Sequence, residues 1–413
     1  VVRADQCDTQ EPAMRHGRRA TNVAIAAFAG LLAASAVAAD LPRARPEAVG
    51  MSAERLQRVS AYAAQLIATK QAAGVVTLIA RRGRIVHLEA TGMADIENDE
   101  PMTTDAYFRL YSMTKPITSV ALLILYEEGK FQLSDPLAKY LPEFAGIRVM
   151  LEGGSGDTTV DAERPPTIAD VFRHTAGFSY DGDLYDSPSL EELNKRLAAR
   201  PLSYQPGTRW VYSFAHDVQA RLVEVLSGSS FESFVRSRIL EPLGMTNVVV
   251  GIPASLASRF PVTYGPAEGG GLMIGDVAEQ TNYQQVPFGG TSLAGPVLDY
   301  VRFAQMLANS GELDGVRILS PKTVDLMATD HLPRGVTFAP GEGYGLGVRV
   351  VVDPVAAGNL PSPGTFGWSG AASTHFIVDR EEGLVALLMY QYQPRDTRPR
   401  DEFETLVYQS IVD

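Results

Sequence analysis

Ser112-Met113-Thr114-Lys115-Pro116-Ile117-Thr118-Ser119-Val120-Ala121-Leu122-Leu123-Ile124-Leu125-Tyr126-Glu127-Glu128-Gly129 is the stretch on which the reading of this chain turns. Ile117, Ala121, Leu122 and Leu125 recur at helical spacing and Gly129 is a stop signal, so the run predicts a helix over 114–128 with Ser112 at its beginning. Residues three apart share a helix face, which lets the amine of Lys115 reach the hydroxyl of Ser112. A lysine held neutral by burial or by a second cation would accept the serine proton, and a helix N-terminus adds backbone N–H groups near the developing charge. A serine three residues before a lysine arises by chance about once in a chain of this size. Here there are six lysines, and Lys115 alone has that serine.

Two further segments offer chemistry. Tyr212-Ser213-Phe214 follows the turn-like Gln205-Pro206-Gly207-Thr208. Tyrosine and lysine both titrate near about 10, so a Tyr–Lys pair shares a proton, titrates as a unit and can serve as base for Ser112. By composition alone, in a chain with 16 tyrosines, a packing aromatic is the commoner reading. Gly367-Trp368-Ser369-Gly370-Ala371 precedes a predicted strand. A strand edge beside a nucleophile can offer a backbone N–H to an oxyanion, with Gly370 allowing close approach; a turn with a buried tryptophan reads equally well.

Around these segments the text predicts one helix over 52–73, and two strands, 75–80 and 85–91, joined by the turn Arg81-Arg82-Gly83-Arg84. From Asp135 to about Pro296 short helical patterns (168–174, 190–200, 217–226, 231–239) alternate with Gly/Pro/Ser-rich loops and little strand alternation. Helices return at 298–309 and 321–327, the latter capped by Ser320 with Pro321 at its first position. Strand-like runs then crowd 345–352, 373–378 and 384–390, before a closing helix over 401–411. The expected class is α/β plus all-α: an antiparallel sheet flanked by helices, built from 40–110 and 297–413, with a mainly helical domain, 111–296, inserted.

A chain of 413 residues that is 45% hydrophobic can bury a full core, here as two lobes around one cleft. Its net charge of -12 disfavours nucleic acid and favours a small neutral or weakly charged partner. Met14, then Arg15, Arg18 and Arg19, an apolar run from Val23 to Val37 and Ala36-Val37-Ala38 before Asp40 read as a signal peptide over 14–39, with 1–13 an upstream extension. The apolar run falls short of the roughly 20 residues that span a bilayer, so cleavage and export to a periplasmic or secreted location are expected, with no stable membrane insertion. Cys7, the only cysteine, precedes Met14, which leaves the expected mature chain without disulfide, thiolate nucleophile or cysteine metal site; no metal and no cofactor are expected. G-x-S-x-G, the mark of an α/β-hydrolase nucleophile, is absent, and so is H-E-x-x-H. His174, His216 and His375 read as structural. The oligomeric state is not legible.

Taken in order, Ser112–Lys115, Tyr212–Phe214 and Gly367–Ala371 resemble the serine β-lactamase and penicillin-binding-protein superfamily, most closely its class C-like branch with the family VIII carboxylesterases. Phe172-Arg173-His174-Thr175-Ala176-Gly177, Glu241-Pro242-Leu243-Gly244-Met245, Gly289-Gly290-Thr291-Ser292-Leu293 and Gly343-Tyr344-Gly345-Leu346-Gly347 look like landmarks of that family in the expected order. The resemblance runs from about residue 45 to the end and implies a β-lactamase/DD-peptidase-like fold. It implies Ser112 as nucleophile, Lys115 as its partner, Tyr212 as general base, and the backbone N–H groups of Ser112 and Ala371 as oxyanion hole. The division of labour between Lys115 and Tyr212 stays open.

Two departures bear on substrate. The family's third motif is usually Lys-Thr-Gly where this chain has Trp368-Ser369-Gly370, and its Tyr-x-Asn ends here in Phe214. A cation and an amide are lost; Trp368 and Phe214 supply apolar walls, and Met113, Ser369 and Gly370 complete the expected pocket. The expectation is a serine carboxylesterase for short-chain, neutral esters acting through an acyl-enzyme. A β-lactamase or D-amino-acid peptidase, an acyltransferase, and a non-catalytic penicillin-binding-like sensor are the alternatives.

Overall fold

Arg82 and Gly83 both take left-handed backbone angles (φ 52° and 73°), the pair that a two-residue hairpin turn between right-twisted strands demands. They join β1 (Gly74–Arg81) to β2 (Arg84–Asp95), the nucleus of the main sheet. The computed structural model describes residues 40–151, 158–181, 184–275 and 286–413, so the expected signal peptide at 14–39 lies outside the described residues. No helix among the described residues is long and apolar enough to cross a membrane.

Among the described residues the sheet has eight strands in the order Glu342–Tyr344, Arg349–Val351, Phe366–Ser369, His375–Asp379, Leu384–Tyr390, β1, β2, Glu100–Pro101. Every neighbouring pair is antiparallel, and β1 lies centrally against Leu384–Tyr390, uniting the two ends of the chain as the sequence pattern predicts. Alternation along β1 sends Val75 and Ile79 to one face, where α1 (Ala53–Ala68) and the Arg398–Tyr408 helix contribute Leu56, Val59, Leu66, Phe403 and Val407. Val76, Leu78 and Ala80 face the other way, into the larger core shared with the Val297–Ala308 helix. Both faces are covered, which is why all of β1 is buried. Ser52 caps α1, as expected, but the helix stops at Ala68, and Lys70 in left-handed conformation turns the chain toward β1.

One expectation needs correction. The run 345–352 is not one strand: Gly347 (φ 90°) turns the chain between Glu342–Tyr344 and Arg349–Val351. A Cβ there would lie 2.0 Å from Ser119 Oγ, so glycine lets this turn press on the helix that carries the site. The segment 111–296 also holds short strands that two- and three-residue patterns do not reveal: Arg148–Met150 with Thr159–Asp161, Tyr264–Pro266 with Leu272–Ile274, and Leu293–Gly295 between Phe108–Arg109 and Val249–Val250.

α2 (Thr114–Glu127) is the pillar of the helical part. Every residue from Thr114 to Leu125 is buried, so it is a central helix enclosed on all sides and not the one-faced helix its spacing suggests. α5 (Ala215–Ser227) and α6 (Phe231–Val235) pack against it, and α3 (Ile168–Phe172) and α4 (Leu190–Ala198) pack on α5. α3 begins with a capping box between Thr167 and Asp170. The fully buried Asp170 carboxylate also accepts from Arg164, from Arg173 at 2.8 Å and from Thr175 Oγ1 at 2.9 Å, which pins the turn leading to His174. Burial opposes its charge, but these donors win and hold its pKa below the usual aspartate value. Asp170→Ala is expected to cost about 3–5 kcal/mol, read as a fall in urea midpoint, because it strands two guanidinium groups. The depressed pKa makes this contribution present above about pH 4 and lost on acidification. A cost below about 1 kcal/mol would reduce the cluster to a single helix cap.

Candidate active site

The N-terminus of α2 delivers Ser112 and Lys115. Tyr111, the residue before the serine, has φ 44°, a left-handed conformation that costs a tyrosine about 1–3 kcal/mol and persists because its surroundings over-determine it. Tyr111 is buried in a small cluster with Tyr107, Phe260, Ala294 and Ala372, and Leu110 is tied by its N–H to Leu293 O at 3.0 Å. The kink leaves Ser112 slightly exposed at the wall of a cavity of about 870 Å³.

Lys115 Nζ donates to Ser112 Oγ at 3.1 Å and to Gly290 O at 2.8 Å, and it lies over the Tyr212 ring. The Tyr212 ring centroid lies 4.6 Å away. Burial pushes the Lys115 pKa down, but the oxygens of Tyr180 and Tyr212 and the Asp217 carboxylate more than offset it, and the net direction is up. Burial alone, one of the two routes to a neutral lysine, is thus outweighed at this position. Asp217, at the start of α5, is fully enclosed; burial raises its pKa to about 6 against the opposing pull of Lys115 and Gly290 N–H. Its Oδ1 accepts from Gly290 N at 3.0 Å, so Asp217 fixes the residue whose carbonyl holds Lys115.

Tyr212 comes from the loop before α5 and faces the same cavity as Ser112. Its hydroxyl accepts from Trp368 Nε1 at 3.3 Å, and its ring packs on His174 at 4.8 Å between centroids and on Tyr180 at 5.4 Å. His174 and His216, rings 4.9 Å apart, lie behind it, and burial lowers both pKa values well below the ordinary histidine range. They are neutral packing groups, as read from sequence.

The strand Phe366–Ser369 carries Trp368 and Ser369 onto the wall, and the turn after it presents Ala371 there. Gly370 N–H donates to Thr374 O at 2.7 Å, and a Cβ on Gly370 would stand 2.5 Å from Leu110 O, so glycine is what brings this strand end against the segment preceding Ser112. Ser112, Tyr212, Trp368, Ser369 and Ala371 thus converge as expected. Met113 and Phe214 do not line the cavity. Both are enclosed: Met113 belongs to the main core, and Phe214 packs beneath the wall on Tyr180 and Tyr185 at 4.6 and 5.1 Å. Gly370 supports the wall without forming it.

Trp210, Phe338 and Arg395 also line the cavity, and none was singled out from sequence. Trp210 stacks on Tyr212 and meets Phe338 edge-on at 4.7 Å, and Tyr344 meets Trp368 at 5.3 Å, making an aromatic wall. Arg395 restores a cation to the cavity's border, contrary to the loss inferred from the third motif. Burial lowers its pKa somewhat, and it stays cationic. Trp210 alone carried a signal, two positions before the candidate tyrosine on an extended stretch.

Fold and site define a β-lactamase-fold serine hydrolase, and the chain belongs to the β-lactamase family, whose model matches residues 59–409. Esterase EstB of Burkholderia gladioli is 33% identical over 384 residues, covering 83% of this chain and 92% of that protein. The lovastatin esterase of Penicillium rubens is 29% identical over 75% of this chain and 86% of its own. The solved structure of EstCE1, described as a hydrolase with promiscuous acyltransferase activity, superposes with a TM-score of 0.72 at 24% identity, covering 86% of this chain and 99% of that one.

Proposed function

We propose that this protein is a serine carboxylesterase of the family VIII kind, hydrolysing short-chain, neutral carboxylic esters through an acyl-enzyme. The observation that carries the reading is the 3.1 Å contact between Ser112 and Lys115 at the wall of a cavity where Trp368 stands in place of the third-motif lysine. Ser112 Oγ attacks the ester carbonyl and its proton passes to Tyr212 acting as a phenolate, to which Trp368 Nε1–H donates and beside which Lys115 supplies positive charge. The tetrahedral oxyanion is received by the N–H groups of Ser112 and Ala371. Tyr212 returns the proton to the departing alkoxide, and water repeats the sequence to release the acid. The esterases among its relatives support this reading.

The aromatic wall suits an apolar ester better than an anionic lactam. A butyrate ester is expected to be turned over with a kcat/KM at least about tenfold above that of a cephalosporin, about the worth of one well-made polar contact. A cephalosporin preferred over butyrate would refute the reading and assign Arg395 to its carboxylate. Acyl transfer is a second reading, favoured by a cavity of about 870 Å³, which exceeds what a short acyl chain fills and leaves room for an acceptor alcohol. Product analysis with added alcohol separates the two.

A further inference from the structure

Beneath the cavity lies a buried polar chain that catalysis by Ser112 does not use. Ser369 Oγ lies 2.9 Å from His375 Nδ1, and His375 Nε2 lies 2.9 Å from Glu404 Oε1. Arg349 donates to the same Glu404 oxygen at 2.9 Å and to Glu342 Oε1 at 2.9 Å. The members come from four strands and the closing helix: Ser369 and His375 are directly paired across the sheet, and Glu404 rises from the Arg398–Tyr408 helix. The side chains of His375, Glu404 and Arg349 are at most 3% exposed, whereas Ser369 reaches the cavity wall.

The chemistry fixes the protons. Burial raises the pKa of Glu404, but Arg349 and His375 more than reverse it, to about 2, so Glu404 is a carboxylate that can only accept. Nε2 of His375 must then carry a hydrogen. A neutral imidazole has no second N–H, which leaves Nδ1 as an acceptor and makes the Ser369 hydroxyl the donor in their contact. Its proton is spent inward, and only oxygen lone pairs face the cavity.

We propose that Ser369 is a specificity-determining residue, locked by the His375–Glu404–Arg349 chain as a hydrogen-bond acceptor. The cavity therefore selects esters that bring a hydroxyl or N–H to the Trp368–Ser369 strand and disfavours a carboxylate there. This rests on the esterase reading and names its substrate class. Ser369 is not a second nucleophile. Burial, partly offset by Glu404, leaves the His375 pKa at about 4, and Arg349 shares the carboxylate, so the imidazole is too weak a base to activate a serine.

The test is a ratio of kcat/KM values within one preparation, which does not depend on the fraction folded. Two ester pairs place a donor on either side of the scissile bond: methyl β-hydroxybutyrate against methyl butyrate, and hydroxyethyl butyrate against propyl butyrate. Wild type is expected to favour the hydroxylated member of at least one pair by about fivefold, the worth of one hydrogen bond. Ser369→Ala is expected to bring that ratio to near unity and Ser369→Thr to keep it. Glu404→Gln frees the imidazole to carry its hydrogen on Nδ1 and is expected to narrow the ratio. Turnover of both pairs with ratios unchanged in Ser369→Ala would overturn the inference and leave the esterase reading standing. A ratio unchanged in Glu404→Gln would overturn the role of the buried chain. No turnover of any of these esters by wild type would remove both.

Discussion

Replacing Ser112 by alanine is expected to lower kcat/KM on a butyrate ester by on the order of 10⁶, the usual cost of losing a serine nucleophile that acts in concert with its base. The fold should survive, because the hydroxyl is a small group at a cavity wall and Lys115 keeps its bond to Gly290 O and its place over the Tyr212 ring. The variant should therefore melt within a few degrees of wild type while a fluorophosphonate, which labels wild type at Ser112, fails to label it. Retention of about a tenth of wild-type turnover by a folded Ser112→Ala protein would mean that hydrolysis does not pass through this oxygen. Absence of labelling and turnover in wild type would instead favour a binding protein that keeps the fold without its chemistry.

What the sequence revealed about the site and what it hid divide along physical lines. Ser112 and Lys115 sit one helical turn apart, so their meeting follows from the helix alone. The β1–β2 hairpin and the Leu384–Tyr390 strand follow from alternation and turn chemistry, which are also local. Tyr212 and Trp368 are 156 residues apart and meet only because the sheet and the helical part fold onto one another. Family resemblance, and not periodicity, placed them together. Phe338 and Arg395 lie on irregular segments with no periodic pattern, so nothing local could aim them at the cavity. Met113 and Phe214 adjoin chemical residues in sequence, yet successive residues near a helix start point in different directions, and theirs is the core. The charge state of Lys115 is hidden from the sequence for the same reason. Burial is foreseeable, but the oxygens of Tyr180 and Tyr212 and the carboxylate of Asp217 that outweigh it all come from segments distant from Lys115 in the chain.

That charge state decides which group is the base, and Tyr212→Phe tests it. Phenylalanine keeps the ring contacts with His174, Tyr180, Trp368 and Lys115 and removes only the hydroxyl to which Trp368 Nε1 donates. If Tyr212 takes the serine proton, kcat should fall by about 10²–10⁴, the range for loss of a general base, with KM little changed. If Lys115 is the base and the phenol only orients it, the loss should be about fivefold, one hydrogen bond's worth. The pH profile gives an independent answer. A lysine whose pKa lies above the ordinary value is almost wholly protonated between about pH 6 and 9. A rate that required neutral Lys115 would climb about tenfold per pH unit across that window, because the free-amine fraction does. A rate that requires the ammonium, with Tyr212 as base, gains nothing from this lysine's titration there. A wild-type log(kcat/KM) rising with unit slope that persists in Tyr212→Phe would assign the proton to Lys115, since the residual rate would then still track the amine.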